Sequence, residues 1–205
     1  MGYEVLFSGQ KTYNGVAIIS RQAGTDVIHE LAGLQDDARR VLGATFEDTR
    51  LLNLYVPNGQ RVDSENYAYK VRWLSALHDQ LAEELQQHSN VVLLGDFNIA
   101  PEDRDVYDPA AWSGQVLVSD AERRALRGLI EQGLVDTFRL FEQAPDTFSW
   151  WDYRLAGFRR NRGLRIDLIL ASEPLAARCQ SASIDPQPRG LERPSDHAPV
   201  LATFE

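Results

Sequence analysis

Four short polar clusters sit at the ends of apolar runs. Gly95-Asp96-Phe97-Asn98 follows the wholly apolar 91–94, and Ser195-Asp196-His197 precedes the apolar 198–204. Asn53-Leu54-Tyr55 lies in the run 51–56, and Leu164-Arg165-Ile166-Asp167 opens the run 166–170. Strand ends are rigid, so carboxylates held on them can converge on one metal and one phosphate. Asp, Asn and His together suit a hard divalent cation and in-line phosphoryl chemistry. Asp96 can bind a metal or take a proton from water, and Asn98 can donate to an oxygen without adding charge. Taken alone, Asp-x-Asn reads as an Asx turn closing a strand. His197 needs a partner on one ring nitrogen to aim the other, and Asp167 needs one to justify a carboxylate at an apolar strand. Pairing them satisfies both and leaves Asp196 for a cation. A structural histidine near a turn is the alternative.

The elements that must position these clusters follow from periodicity. Residues 5–7 and 15–20 read as short strands, and 51–56 as a third, stopped by Pro57-Asn58-Gly59. Leu74, Leu77, Leu81 and Leu85 recur at helical spacing, predicting an amphipathic helix over 67–88. The run 91–94 suits a strand buried on both faces. A long irregular stretch spans 101–118, and Ser119-Asp120-Ala121-Glu122 is a capping box opening a second helix that ends near Gly133. Residues 148–153, 166–171, 179–184 and 199–204 read as further strands. Without strict strand–helix alternation, the expectation is a layered α/β sandwich, two packed mixed sheets flanked by helices.

The length of 205 residues suits one domain over 1–205. No apolar run is long enough to span a membrane, and the opening residues lack a secretory pattern. One cysteine, Cys179, reads as a buried inert thiol. A monomeric cytoplasmic protein is expected. The net charge of −9 argues against a non-specific nucleic-acid binder. Its distribution argues otherwise: Arg154, Arg159, Arg160, Arg162 and Arg165 crowd the stretch before Asp167 without an acid. Arginine grips phosphate in bidentate fashion, although a solvated loop has the same composition.

The ordered motifs Tyr13-Asn14-Gly15-Val16-Ala17, Asn53-Leu54-Tyr55-Val56-Pro57-Asn58-Gly59, Gly95-Asp96-Phe97-Asn98-Ile99-Ala100-Pro101, Phe148-Ser149-Trp150-Trp151-Asp152-Tyr153-Arg154, Asn161-Arg162-Gly163-Leu164-Arg165-Ile166-Asp167 and Pro194-Ser195-Asp196-His197-Ala198-Pro199 together resemble one family. It is the exonuclease III branch of the endonuclease/exonuclease/phosphatase fold. The resemblance runs from Tyr3 to the last residue. It implies a metal-dependent DNA repair nuclease using Mg2+ or Mn2+, acting on double-stranded DNA at abasic sites and 3′ ends, 3′-phosphates included. Asp96 would activate water, Asn98 would orient it, and His197, braced by Asp167, would contact the scissile phosphate beside Tyr55. Asp96, Asn98, Asp196 and His197 would surround the metal. Asn58, Trp150, Trp151, Arg154, Asn161 and Arg162 would contact DNA.

The beginning departs from that pattern. Relatives open with two strands, the second ending in a Gln-Glu pair whose glutamate is the principal metal ligand, and neither Glu4 nor Glu30 matches it. The expectation is therefore a chain shortened at its N-terminus, lacking the family's first two strands. A catalytically impaired fragment that keeps a DNA-binding surface is the alternative. A relative acting on inositol phosphates or sphingomyelin would lack the Trp150–Arg154 segment.

Overall fold

The computed structural model describes residues 2–205. Strands β1 (Glu4–Gly9) and β2 (Gly15–Ser20) form an antiparallel hairpin. Strands β3 (Thr25–Ile28), β4 (Val41–Phe46) and β5 (Thr49–Tyr55) follow, then helix α1 (Glu65–Gln87) and β6 (Asn90–Asp96). The short α2 (Pro109–Trp112) and α3 (Asp120–Ile130) lead to β7 (Leu134–Asp136). Next come β8 (Trp150–Trp151) and its partner β9 (Gly163–Leu164). Then follow β10 (Asp167–Ser172), α4 (Glu173–Ala176), β11 (Cys179–Ile184) and β12 (Val200–Phe204).

Six strands make the central sheet in the order β3-β4-β5-β6-β10-β7. Within it β5 and β6 are parallel, which requires a crossover, and α1 supplies it. Ser64 caps α1 by accepting from the Tyr67 amide at 3.1 Å, so the helix starts two residues before its apolar period does. The expected capping box of α3 forms between Ser119 and Glu122.

Alternation along β5 and β6 divides the sheet's two faces. Leu52, Leu54, Val91 and Leu93 pack with Leu74, Leu77 and Leu81 of α1. Val92, Leu51 and Leu94 face the other layer, with Ala171, Leu175 and Phe204. A side chain's face is fixed by its parity, so Tyr55 and Asp96 point away from α1, as Leu51 and Leu94 do.

The mixed α/β layering matches the sequence expectation, with differences of detail. The second layer consists of two antiparallel pairs, β1–β2 and β11–β12, instead of one mixed sheet. Strands β3 and β4 escape the sequence reading because Gly43 interrupts β4 and β3 is short, with left-handed Asp26 at φ 49°. The strand expected over 148–153 shrinks to two residues: Asp152 accepts from the Arg154 amide and turns the chain. Cys179 is half-buried, not buried. Among the described residues, no helix is long and apolar enough to cross a membrane.

Candidate active site

Tyr55, Asp96 and Asp167 form one row across three strands. Tyr55 is in register with Asp96 across the parallel β5–β6 ladder, and Asp96 with Asp167 across the antiparallel β6–β10 ladder. The row lies where β5 and β6 end and β10 begins, so it is rigid on one side and open to loops on the other. Gly95 makes the close approach possible. Its φ is 129°, and a Cβ there would sit 2.0 Å from the Leu54 carbonyl oxygen.

Loops bring the remaining groups to this row. His197 Nδ1 lies 2.8 and 3.0 Å from the two carboxylate oxygens of Asp167. Asn98, left-handed at φ 50°, donates its amide N–H to Asp96 Oδ1 and its side-chain Nδ2 to Asp96 Oδ2, each at 2.8 Å. The Asx turn expected of Asp-x-Asn therefore forms, and it lies in the row itself. Asp196 accepts from Trp150 Nε1 at 3.1 Å. Tyr55 lies under Arg40, whose guanidinium is 4.7 Å from the ring centroid and donates to the Tyr55 carbonyl.

A buried lysine braces the Asn98 side. Lys70 Nζ donates to the carbonyls of Asn98 at 2.6 Å and Asn58 at 3.2 Å, and pairs with Glu122 at 2.5 Å. Asn58 donates its Nδ2 to Asn98 Oδ1 at 2.9 Å. Sequence reading missed Lys70 and its pairing with Glu122. The available signal was that Lys70 shares the helical stripe of Leu74, Leu77 and Leu81, where a lysine is expensive without a partner.

The electrostatics distinguish the two carboxylates. Burial, with the charge of Asp167 opposite, pushes the Asp96 carboxyl up to about 7. Burial disfavours a charged His197, but the Asp167 hydrogen bond and charge, then Asp96 and Asp196, prevail and raise its pKa to about 9. A ring whose cationic form is favoured by the Asp167 carboxylate fits a phosphate contact. Asn98 uses its side-chain amide on Asp96, the Val56 carbonyl and Asn58.

The residues expected to contact DNA divide. Trp150 lines a hollow of about 560 Å³ with Tyr107, Trp112 and Leu155, and Arg154 and Arg162 stand at its rim. Trp151 does not join it. That ring is 2% exposed, packs edge-on against Phe158 at 5.1 Å and donates to Asn161 Oδ1 at 3.0 Å. Its burial corrects the expectation that both tryptophans contact DNA. Asn161 uses its amide to hold Trp151 and the Asp146 carbonyl, and Asn58 uses its own on Asn98 and the Gln60 amide. Arg165 leaves the basic patch altogether: it is 1% exposed and paired with Asp105 at 2.6 Å and Asp136 at 2.7 Å.

The family model described as endonuclease/exonuclease/phosphatase matches residues 2–197. The chain belongs to the endonuclease/exonuclease/phosphatase family. It is 35% identical over 218 residues to exodeoxyribonuclease III of Haemophilus influenzae, covering 100% of this chain and 82% of that one. The solved 3′-5′ exonuclease NExo from Neisseria meningitidis superposes with a TM-score of 0.97 at 45% identity, over 100% of this chain and 80% of its own. An AP endonuclease from Archaeoglobus fulgidus gives 0.94 at 39% identity, over 100% and 80%. The relatives are phosphodiester hydrolases by name, and these likenesses support a DNA repair nuclease.

Members of this branch depend on a divalent metal. Among the described residues, no group of three or more His, Cys, Asp or Glu side chains is placed to hold one. Asp96 and Asp196 remain as donors, both near enough to raise the pKa of His197. Mg2+ is commonly held by one or two carboxylates with water and substrate phosphate completing its shell. The buried, poorly compensated charge of Asp96 fits a cation of that shared kind. It does not fit a cage made by this chain's described side chains alone.

Proposed function

We propose that this chain hydrolyses the phosphorus–O3′ bond of DNA, as a 3′-5′ exonuclease, a 3′-phosphatase and an abasic-site endonuclease. One bond unites the three activities. Removing a terminal nucleotide, removing a 3′-phosphate and cutting 5′ to an abasic site all leave a 3′-hydroxyl. The observation that carries the reading is the row Tyr55–Asp96–Asp167 with His197 held against Asp167. The likeness to the Neisseria 3′-5′ exonuclease supports the end-directed activities, and the likeness to the Archaeoglobus AP endonuclease supports the internal cut.

Asp96 takes a proton from the attacking water, which it can do near neutrality because its pKa lies close to 7. Asn98 holds that carboxylate by two hydrogen bonds and keeps its orientation fixed. Water oxygen bonds to phosphorus, the bond from phosphorus to O3′ breaks with its electron pair going to O3′, and O3′ takes up a proton from solvent to become the 3′-hydroxyl. The His197 imidazolium, anchored by Asp167, neutralises charge on the phosphate oxygens. The Tyr55 hydroxyl, one strand over from Asp96, donates a hydrogen bond or proton on the phosphate's other side. Mg2+ or Mn2+ shared by Asp96 and Asp196 would supply further charge neutralisation when bound. Trp150 and the rim arginines Arg154 and Arg162 hold the DNA, by stacking and phosphate contact respectively.

A second reading, DNA binding with impaired catalysis, draws on the shortage of metal-binding carboxylates. Three duplexes separate the two: one with an internal abasic site, one with a 3′-phosphate and one with a plain recessed 3′ end. Each is incubated with Mg2+ or Mn2+, with and without EDTA. Products ending in a 3′-hydroxyl, lost with EDTA, are expected. Retained binding with no product from any of the three would replace the first reading with the second.

A further inference from the structure

Arg189 sits in a short helical turn, Gln187–Gly190, far in sequence from every catalytic motif except the last. It is 6% exposed. The buried arginines Arg50 and Arg165 pair with carboxylates. Arg189 has other partners. Its guanidinium lies 5.0 Å from the Phe158 ring centroid, 5.3 Å from Tyr153 and 6.0 Å from Trp151, and its Nη1 donates to the Ser195 carbonyl. Its Nε is buried without a hydrogen-bond partner. A cation held by rings and one carbonyl is costly to bury, so this position must secure something in return.

What it secures is a run of three carbonyls just ahead of His197. Pro194 O accepts from the Tyr153 hydroxyl at 2.7 Å, Ser195 O from Arg189, and Asp196 O from the Trp151 amide at 3.0 Å. The loop has no regular structure there, and Arg193 is left-handed at φ 51°. Of the three donors, one is a backbone amide and Tyr153 is largely exposed, so Arg189 is the buried side chain among them. All three donors belong to, or pack on, the segment that carries Trp150 and Arg154. The loop and that segment are thus tied together at three points.

We infer that Arg189 is a positioning residue: seated among Trp151, Tyr153 and Phe158, it fixes the 194–197 loop so that Asp196 meets Trp150 and His197 meets Asp167. Its effect on turnover rests on the nuclease reading above, but its effect on the loop does not. Two measurements on the full chain therefore test it. The first is hydrogen exchange at the Trp150 indole N–H, which Asp196 accepts, assigned with Trp150→Phe. In Arg189→Ala this proton exchanges faster, whether or not the chain cleaves DNA. The second is steady-state cleavage. Arg189→Ala lowers kcat by about ten- to a hundredfold, the scale of a small misplacement of catalytic groups, with KM nearly unchanged. Millimolar guanidinium restores part of the loss by refilling the aromatic cage, and ammonium does not.

Arg189→Lys keeps the charge and carries both readouts should the alanine variant fail to fold. Faster indole exchange at an unchanged melting temperature supports the inference. Wild-type exchange in a folded variant overturns it. In an active chain, so does a loss confined to KM. A wild type inactive on all three duplexes removes the nuclease reading and leaves the exchange experiment to decide on Arg189.

Discussion

Asp96 and Asp167 face one another across the β6–β10 ladder, yet Asp167 has the cationic partner and Asp96 has an amide. The asymmetry assigns them opposite roles. Asp167 is paired with His197, while Asp96 is buried near a like charge and can carry a proton near neutrality. Asp96→Asn should abolish most turnover, by about 10²–10⁴-fold, the range for loss of a general base. It should also leave the melting temperature at pH 8 equal to or above the wild type, because a repelled buried carboxylate has gone. A clear drop in melting temperature would mean that Asp96 is a structural residue.

The same shifts fix how stability depends on pH. Asp96 has a folded-state pKa of about 7, above its ordinary 3.8, so the folded protein holds the extra proton and stability falls as pH rises through that window. His197 has its pKa raised from 6.5 to about 9, so its contribution is full below 6.5 and is lost as pH rises through 9. Both act in one direction. Urea midpoints of the metal-free protein should decline from about pH 5 to pH 9, and millimolar Mg2+ should flatten the lower part by pairing with Asp96. Midpoints that rise across this range would contradict both assignments.

Trp150 and Trp151 are neighbours in sequence and opposites in structure. Trp151→Ala opens a cavity beside Phe158 and should cost about 3–5 kcal/mol of stability. Trp150→Ala should leave stability closer to the wild type and weaken DNA cleavage. Chemical denaturation and cleavage assays run on both variants check the division. Equal stability losses would place Trp150 in the core too.

The site was readable in sequence wherever one strong rule governed a residue. A carboxylate opening an apolar strand needs a cation, and that need alone links Asp167 to His197. Apolar runs placed Tyr55 and Asp96 at strand ends, and the capping box marked Ser119 and Glu122. The rest depended on packing between elements that no local pattern encodes. A tryptophan pair on a short strand must point two ways, but which ring faces inward depends on Phe158 and Asn161. Lys70 looks like an ordinary helix residue until α3 brings Glu122 beside it. Arg165 reads as part of a basic loop because its partners, Asp105 and Asp136, lie 60 and 29 residues away.

That last case separates two kinds of arginine by experiment. Arg165 and Arg139 share Asp105, and Phe138 lies beneath both guanidinium groups at 5.0 and 5.4 Å. Arg165 N also donates to the Asp105 carbonyl, so the cluster ties the loop after β6 to the start of β10, where Asp167 stands. Removing one partner of a buried pair leaves an uncompensated charge, so Asp105→Ala should cost about 3–5 kcal/mol. Arg154 is different. Its side chain is exposed and pairs with Asp152 at 2.9 Å, an interaction that solvent screens. Arg154→Ala should leave the denaturation midpoint unchanged. It should lower the salt dependence of DNA binding by about one unit in log–log slope, because one phosphate is no longer neutralised. The slope is read from binding isotherms at several salt concentrations. An unchanged slope would assign Arg154 to Asp152 alone and leave Arg162 to grip phosphate at the rim.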